Sequence, residues 1–170
     1  MRKSGAIKAL AITGLFTALV TVVTAYFPRV PTPGFGGYVH MGDAVVYLAA
    51  ALLPKRNAAA AAALGGALAD LLTGYAPWAP FTAVIKAALV LPFSSGRQSK
   101  MCSRRNAAAT VIAFPITMGG YYLAQALLTD SLLAPLAALP YNAFQAGVSA
   151  AIFLCFARAM DKVGLKERVR

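Results

Sequence analysis

The placement of charge constrains this chain more than any other feature. Its basic residues sit in clusters between long apolar runs and seldom inside them. Of 170 residues, 59% are apolar and 12% charged, about half the charged share of an ordinary soluble domain. A water-soluble fold has no interior large enough to hide that much apolar sequence, and a disordered chain would not carry it. Two cysteines exclude a disulfide-stapled module. The expected class is all-α integral membrane, a single transmembrane domain spanning 1–170.

Six apolar segments are expected as transmembrane helices, at about 7–27, 40–53, 57–73, 81–94, 107–128 and 142–160. The first has about 21 residues, enough to cross roughly 30 Å of hydrocarbon. It ends at a turn-rich stretch holding Pro28, Pro31, Pro33 and Gly34. The second and fourth, near 14 residues each, would reach only about 21 Å. A re-entrant hairpin of the second and third would bury Lys55 and Arg56 at membrane depth, so six crossings are expected instead. Pro115 is expected to kink the fifth.

The basic clusters then set orientation. Arg2, Lys3 and Lys8 lie at the start, and Lys55 and Arg56 between the second and third segments. Arg97, Lys100, Arg104 and Arg105 fall between the fourth and fifth, and Arg158, Lys162, Lys166, Arg168 and Arg170 at the end. The opposite connections carry only Arg29. The positive-inside rule puts both termini in the cytoplasm. The first segment is expected as an uncleaved helix rather than a signal peptide, being too long and lacking a small-residue cleavage site. Cys102 and Cys155 map near the cytoplasmic side, where no disulfide is expected. The net charge of +11 reads as a topology signal, since no basic face forms for nucleic acid.

Polar residues inside apolar spans carry the functional information. His40 and Asp43 open the second segment, and Asp70 nears the end of the third. Lys86 lies early in the fourth, Tyr121 and Gln125 late in the fifth, and Asn142 and Gln145 open the sixth. All fall in the outward half, where the loops add Tyr38, Tyr75 and Trp78, while the inner halves read as almost wholly apolar. The pattern points to a pocket open to the outside for a small polar molecule. Amides and hydroxyls would give directional hydrogen bonds, and Trp78 or Tyr75 would stack on a flat ring. No polar stripe continues inward, which disfavours a channel. A lone histidine excludes a two-histidine metal site, and no phosphate loop or nucleophile elbow occurs. No enzyme activity, metal or cofactor is expected.

Three stretches carry a resemblance: Gly36-Gly37-Tyr38-Val39-His40-Met41-Gly42-Asp43, then Gly65-Gly66-Ala67-Leu68-Ala69-Asp70 through Tyr75, then Ala79-Pro80-Phe81 through Lys86. In that order they resemble the substrate-binding S components of energy-coupling factor (ECF) vitamin transporters, in the riboflavin-type and hydroxymethylpyrimidine- or pyridoxine-type group. The resemblance implies six helices and a vitamin pocket at the extracellular side, in the cell membrane. It also implies uptake with a transmembrane T component and two cytoplasmic ATPases as partners. Tyr38, His40, Asp43, Asp70, Tyr75 and Lys86 carry over as site residues, with Asp43, Asp70 and Lys86 supporting the pocket electrostatically. The family's small-xxx-small signature, which packs on the T component, maps to Gly14 and Ala18, a departure from the usual alanine pair. Which vitamin is bound stays open. The alternative is an autonomous carrier using Asp43, Asp70 and Lys86 for proton coupling.

Overall fold

Each apolar stretch runs until proline, glycine or a basic cluster interrupts it, and the helices follow. The computed structural model describes residues 2–27, 29–31, 38–95, 100–164 and 166. Gly36 and Gly37 of the first motif, with Pro28, Pro33, Gly34, Arg97, Arg168 and Arg170, lie outside the described residues. Helix α1 spans Arg2–Ala25, α2 Gly42–Leu52, α3 Lys55–Leu72, α4 Ala79–Leu89, α5 Arg104–Thr129 and α6 Leu139–Lys162. A short antiparallel pair, β1 (Val30–Pro31) with β2 (Tyr38–Val39), joins α1 to α2, with Val30 opposite Val39. Single 3-10 turns, Ala76–Trp78 and Ala134–Ala138, lead into α4 and α6.

α3, α4, α5 and α6 start upstream of their expected segments, at Lys55, Ala79, Arg104 and Leu139, whereas α2 starts later than expected, at Gly42, and α4 ends earlier, at Leu89. α4 and α6 each carry proline in their first turn, where its missing N–H costs no intrahelical bond. α5 starts at a serine cap, with Ser103 accepting from the Asn106 N–H at 3.2 Å. α5 continues unbroken through Pro115.

Hydrogen bonds sort the helix ends into two groups. At the basic end, Ala50 and Ala51 close α2, and Ser95 N–H donates to Ala50 O at 3.0 Å. Lys166 Nζ donates to Ala51 O at 2.9 Å. Asp161 near the end of α6 accepts from the N–H groups of Met101 (2.7 Å) and Cys102 (2.8 Å) before α5. Lys55, Arg104 and Lys162 sit at helix termini of this end. The hairpin, the 3-10 turns and the residues Tyr38, His40, Asp70, Tyr121, Gln125 and Gln145 gather at the other.

α3 lies between α1 and α4, and two adjacent glycines allow it. A Cβ at Gly65 would stand 2.7 Å from Val20 Cβ, and one at Gly66 2.9 Å from Lys86 Cγ. The backbones therefore approach as closely as small residues permit. Toward the basic end the core is aromatic. Tyr47 stacks on Phe93 at 5.1 Å, and Phe153 meets Phe93 edge-on at 5.5 Å.

The outside of the bundle is apolar. Leu10, Val84, Val111 and Leu127 are each at least 70% exposed, a surface suited to lipid and not to water. Three helical stretches, Ala6–Ala25, Arg104–Thr129 and Ala134–Lys162, are long and apolar enough to cross a membrane. α3 has 18 residues but carries Lys55, Arg56 and Asp70. α2 and α4 have 11 residues each, about 16 Å at 1.5 Å per residue.

Candidate functional site

A buried ion pair forms the floor of the hairpin end. Lys86 on α4 donates to Asp43 Oδ1 on α2, and neither side chain has any exposed surface. Such a pair is held at this depth only if its remaining valences are met. Gln145 on α6 meets one, donating from Nε2 to Asp43 Oδ2 at 2.9 Å. Its own Oε1 accepts from the His40 backbone N–H at 3.1 Å. His40 Nδ1 in turn accepts from the Gly42 N–H at 3.1 Å, so that nitrogen carries no proton and the neutral ring holds its proton on Nε2. One chain of contacts thus fixes the strand β2 exit, α2, α4 and α6.

Above this floor lies a cavity of about 50 Å³, lined by Tyr38, His40, Asp70, Tyr75, Trp78, Thr82, Tyr121, Gln125, Ala138, Asn142 and Gln145. Its walls are aromatic. Tyr38 packs at 4.9 Å on Tyr75, and Trp78 lies 6.4 Å from Tyr121. Arg29 stands 5.1 Å over the Tyr38 ring, a cation–π contact at the mouth. The Tyr38 hydroxyl donates to Asp70 Oδ1 at 3.3 Å and lies 3.4 Å from Thr73 Oγ1. Burial pushes the Tyr38 phenol above its ordinary pKa, and the neighbouring Asp70 charge adds to this, so Tyr38 remains a donor.

Two of the residues lining this space each carry a polar atom without a hydrogen-bond partner among the described residues. These atoms are the acceptor Asp70 Oδ2 and the donor Gln125 Nε2, both buried. Buried groups of this kind are normally paired. Here both side chains belong to residues that line the cavity.

The structure therefore brings together Tyr38, His40, Asp70, Tyr75, Trp78, Tyr121, Gln125, Asn142 and Gln145 around one space. Asp43 and Lys86 do not line it but lie directly beneath, bonded to Gln145 and to each other. Gly14 and Ala18 are remote, exposed along one face of α1, and nothing approaches within 4 Å of a Cβ placed on Gly14.

Sequence reasoning missed Thr82 and Ala138 in the lining. It also missed a deeper polar tier of buried hydroxyls, on Tyr47, Thr117 and Ser149. The inner half is thus less apolar than expected. The available signal was helical spacing, since each lies four residues from a site residue (Asp43, Tyr121 and Gln145) and so on the same face one turn deeper.

A membrane-embedded helical protein with a polar, aromatic-walled cavity at one end has the form of a substrate-binding transporter subunit. Residues 4–162 match the family described as ECF-type riboflavin transporter, S component. The chain belongs to that family. S components are transporter subunits and not enzymes, and this one is a multi-pass membrane protein. A stretch of 64 residues is also 42% identical to a Pyrococcus woesei protein described as "Uncharacterized protein in gap 3'region". That match covers 38% of this chain and 43% of the relative, so less than half of that protein's length is spanned.

Proposed function

We propose that this chain is the vitamin-binding subunit of an ECF transporter in the cytoplasmic membrane. On this reading it is one transmembrane domain of six crossing helices, with the hairpin end outside and both termini inside. The basic residues at the opposite helix ends support that orientation through the positive-inside rule. The ligand is a flat heteroaromatic vitamin of the riboflavin, pyridoxine or hydroxymethylpyrimidine class, and riboflavin leads because the family is described by it.

The observation that carries this reading is the presence of Asp70 Oδ2 and Gln125 Nε2, an acceptor and a donor unpartnered among the described residues, on two residues that line one aromatic-walled cavity. A ring bearing an N–H next to a carbonyl satisfies both at once. Tyr75, Trp78 and Tyr121 supply faces for stacking. Asn142 and Tyr38 remain for hydroxyl groups on a side chain. Asp43 and Lys86 hold the floor rigid and do not touch ligand. The cavity is small beside ordinary ligand pockets of several hundred Å³, so the walls part to admit a vitamin. Uptake then requires a T component, docked along Gly14 and Ala18, and two cytoplasmic ATPases.

Titration of the purified chain with riboflavin, pyridoxine, hydroxymethylpyrimidine and pantothenate, read by fluorescence of the single tryptophan Trp78, tests the reading. Saturable one-to-one quenching by one of the first three is the expected result. No response to any of them, from protein that still unfolds cooperatively, refutes it. Uptake by the chain alone, driven by a proton gradient, would establish the carrier instead.

A further inference from the structure

A second cavity opens at the basic end, far from the hairpin. It has a volume of about 190 Å³ and is lined by Pro54, Lys55, Phe93, Ser94, Ser95 and Arg105. We propose that it binds a phosphate group, either the headgroup of an anionic phospholipid or free inorganic phosphate.

Four independent features converge there. Lys55 and Arg105 are exposed and line the cavity from α3 and α5. Among the described residues the one ion pair is Lys86–Asp43, so neither cation is neutralised by them. α3 begins at Lys55 with Pro54 as its cap residue, and no side chain accepts from its first-turn N–H groups. An uncapped N-terminus of an 18-residue helix presents those N–H groups to an anion. Most telling is Ser94, a lining residue that is 1% exposed and whose Oγ has no partner among the described residues. A buried hydroxyl without a partner calls for a ligand atom.

The cavity wall is also built and held. The Ser94 N–H donates to Asn106 Oδ1 at 2.8 Å, and Asn106 Nδ2 donates to Met101 O at 2.8 Å. Ser95 adopts a left-handed backbone (φ 53°) and its N–H is fixed on Ala50 O. The nearby carboxylate, Asp161, is occupied by the Met101 and Cys102 N–H groups. A guanidinium and an ammonium flanking a hydroxyl form a donor set for phosphate oxygens. Basic pockets between helices near a membrane surface suit anionic headgroups.

The test uses the full chain purified in a mild detergent and examined by native mass spectrometry with added phosphatidylglycerol or phosphatidylcholine. A parallel arm follows thermal unfolding, read by Trp78 fluorescence, against inorganic phosphate. Retention of phosphatidylglycerol over phosphatidylcholine, weakened about tenfold in Ser94→Ala or Arg105→Gln, identifies a lipid headgroup. A phosphate-dependent rise in melting temperature, lost in the same variants, identifies free phosphate. Equal retention of both lipids without a phosphate effect overturns the proposal, as does binding that is unchanged in the folded variants. Lys55→Gln serves as a further variant should either of the others fail to fold, and the wild-type lipid preference needs no variant at all.

Discussion

Replacing Lys86 with methionine isolates the energetics of the cavity floor. Lys86 and Asp43 are both fully buried, so the change leaves a carboxylate at depth with Gln145 as its remaining side-chain hydrogen-bond donor, at 2.9 Å on Oδ2. Oδ1 loses its partner outright. Breaking a buried pair from one side costs about 3–5 kcal/mol, chiefly because the surviving charge is stranded. For a chain of this size each kcal/mol shifts the melting temperature by about 2–4 °C, which places Lys86→Met roughly 6–20 °C below wild type. The double variant Asp43→Asn/Lys86→Met removes both charges and keeps a group that bonds Gln145, so it recovers most of the loss. Thermal unfolding of wild type, Lys86→Met, Asp43→Asn and the double variant, followed by Trp78 fluorescence in one detergent, gives the complete cycle. A single variant within about 3 °C of wild type, or a double variant no more stable than Lys86→Met, would refute the reasoning.

Other substitutions separate binding from coupling and packing. Asp70→Asn and Gln125→Ala each remove one side of the unpartnered pair and are expected to weaken vitamin binding about tenfold with little change in melting temperature, measured by the Trp78 titration. Gly14→Leu adds bulk to the exposed face of α1, where a Cβ meets nothing within the chain. It should leave binding intact and abolish uptake in cells carrying the T component and ATPases; normal uptake would exclude that face as the docking surface. Gly66→Ala drives a methyl to within 2.9 Å of Lys86 Cγ and Thr82 Cγ2. A loss of about 1–3 kcal/mol is expected from such overpacking, seen as a lower melting temperature.

The site was legible because polar side chains are costly in an apolar span, so each of them announces itself. Asp43, Asp70, Lys86, Gln125 and Gln145 could be found that way without any coordinates. Depth alone could not tell which would line the space and which would lie beneath it. That division depends on Gln145 bridging to Asp43, a contact between residues far apart in sequence. Thr82, Tyr47, Thr117 and Ser149 escaped notice because hydroxyls are tolerated in helices and carry little hydropathy signal. The starts of α3 and α5 were read too far inward for a related reason. Hydropathy stops at the last apolar residue, whereas α5 continues to its Ser103 cap through Arg104 and Arg105, and α3 through Arg56 to Lys55.

The two 11-residue helices have a mechanical consequence. α1, α5 and α6 are long enough to match a full bilayer, while α2 is wrapped by the other helices and α4 offers a belt roughly half as tall, about 16 Å against about 30 Å. Where α4 faces outward, with Val84 exposed, lipid must thin or the protein must lean. Each ångström of mismatch stores a fraction of a kcal/mol in the surrounding membrane. On the six-crossing reading, the thickness of the surrounding membrane then sets the balance between a thinned annulus and a leaning subunit.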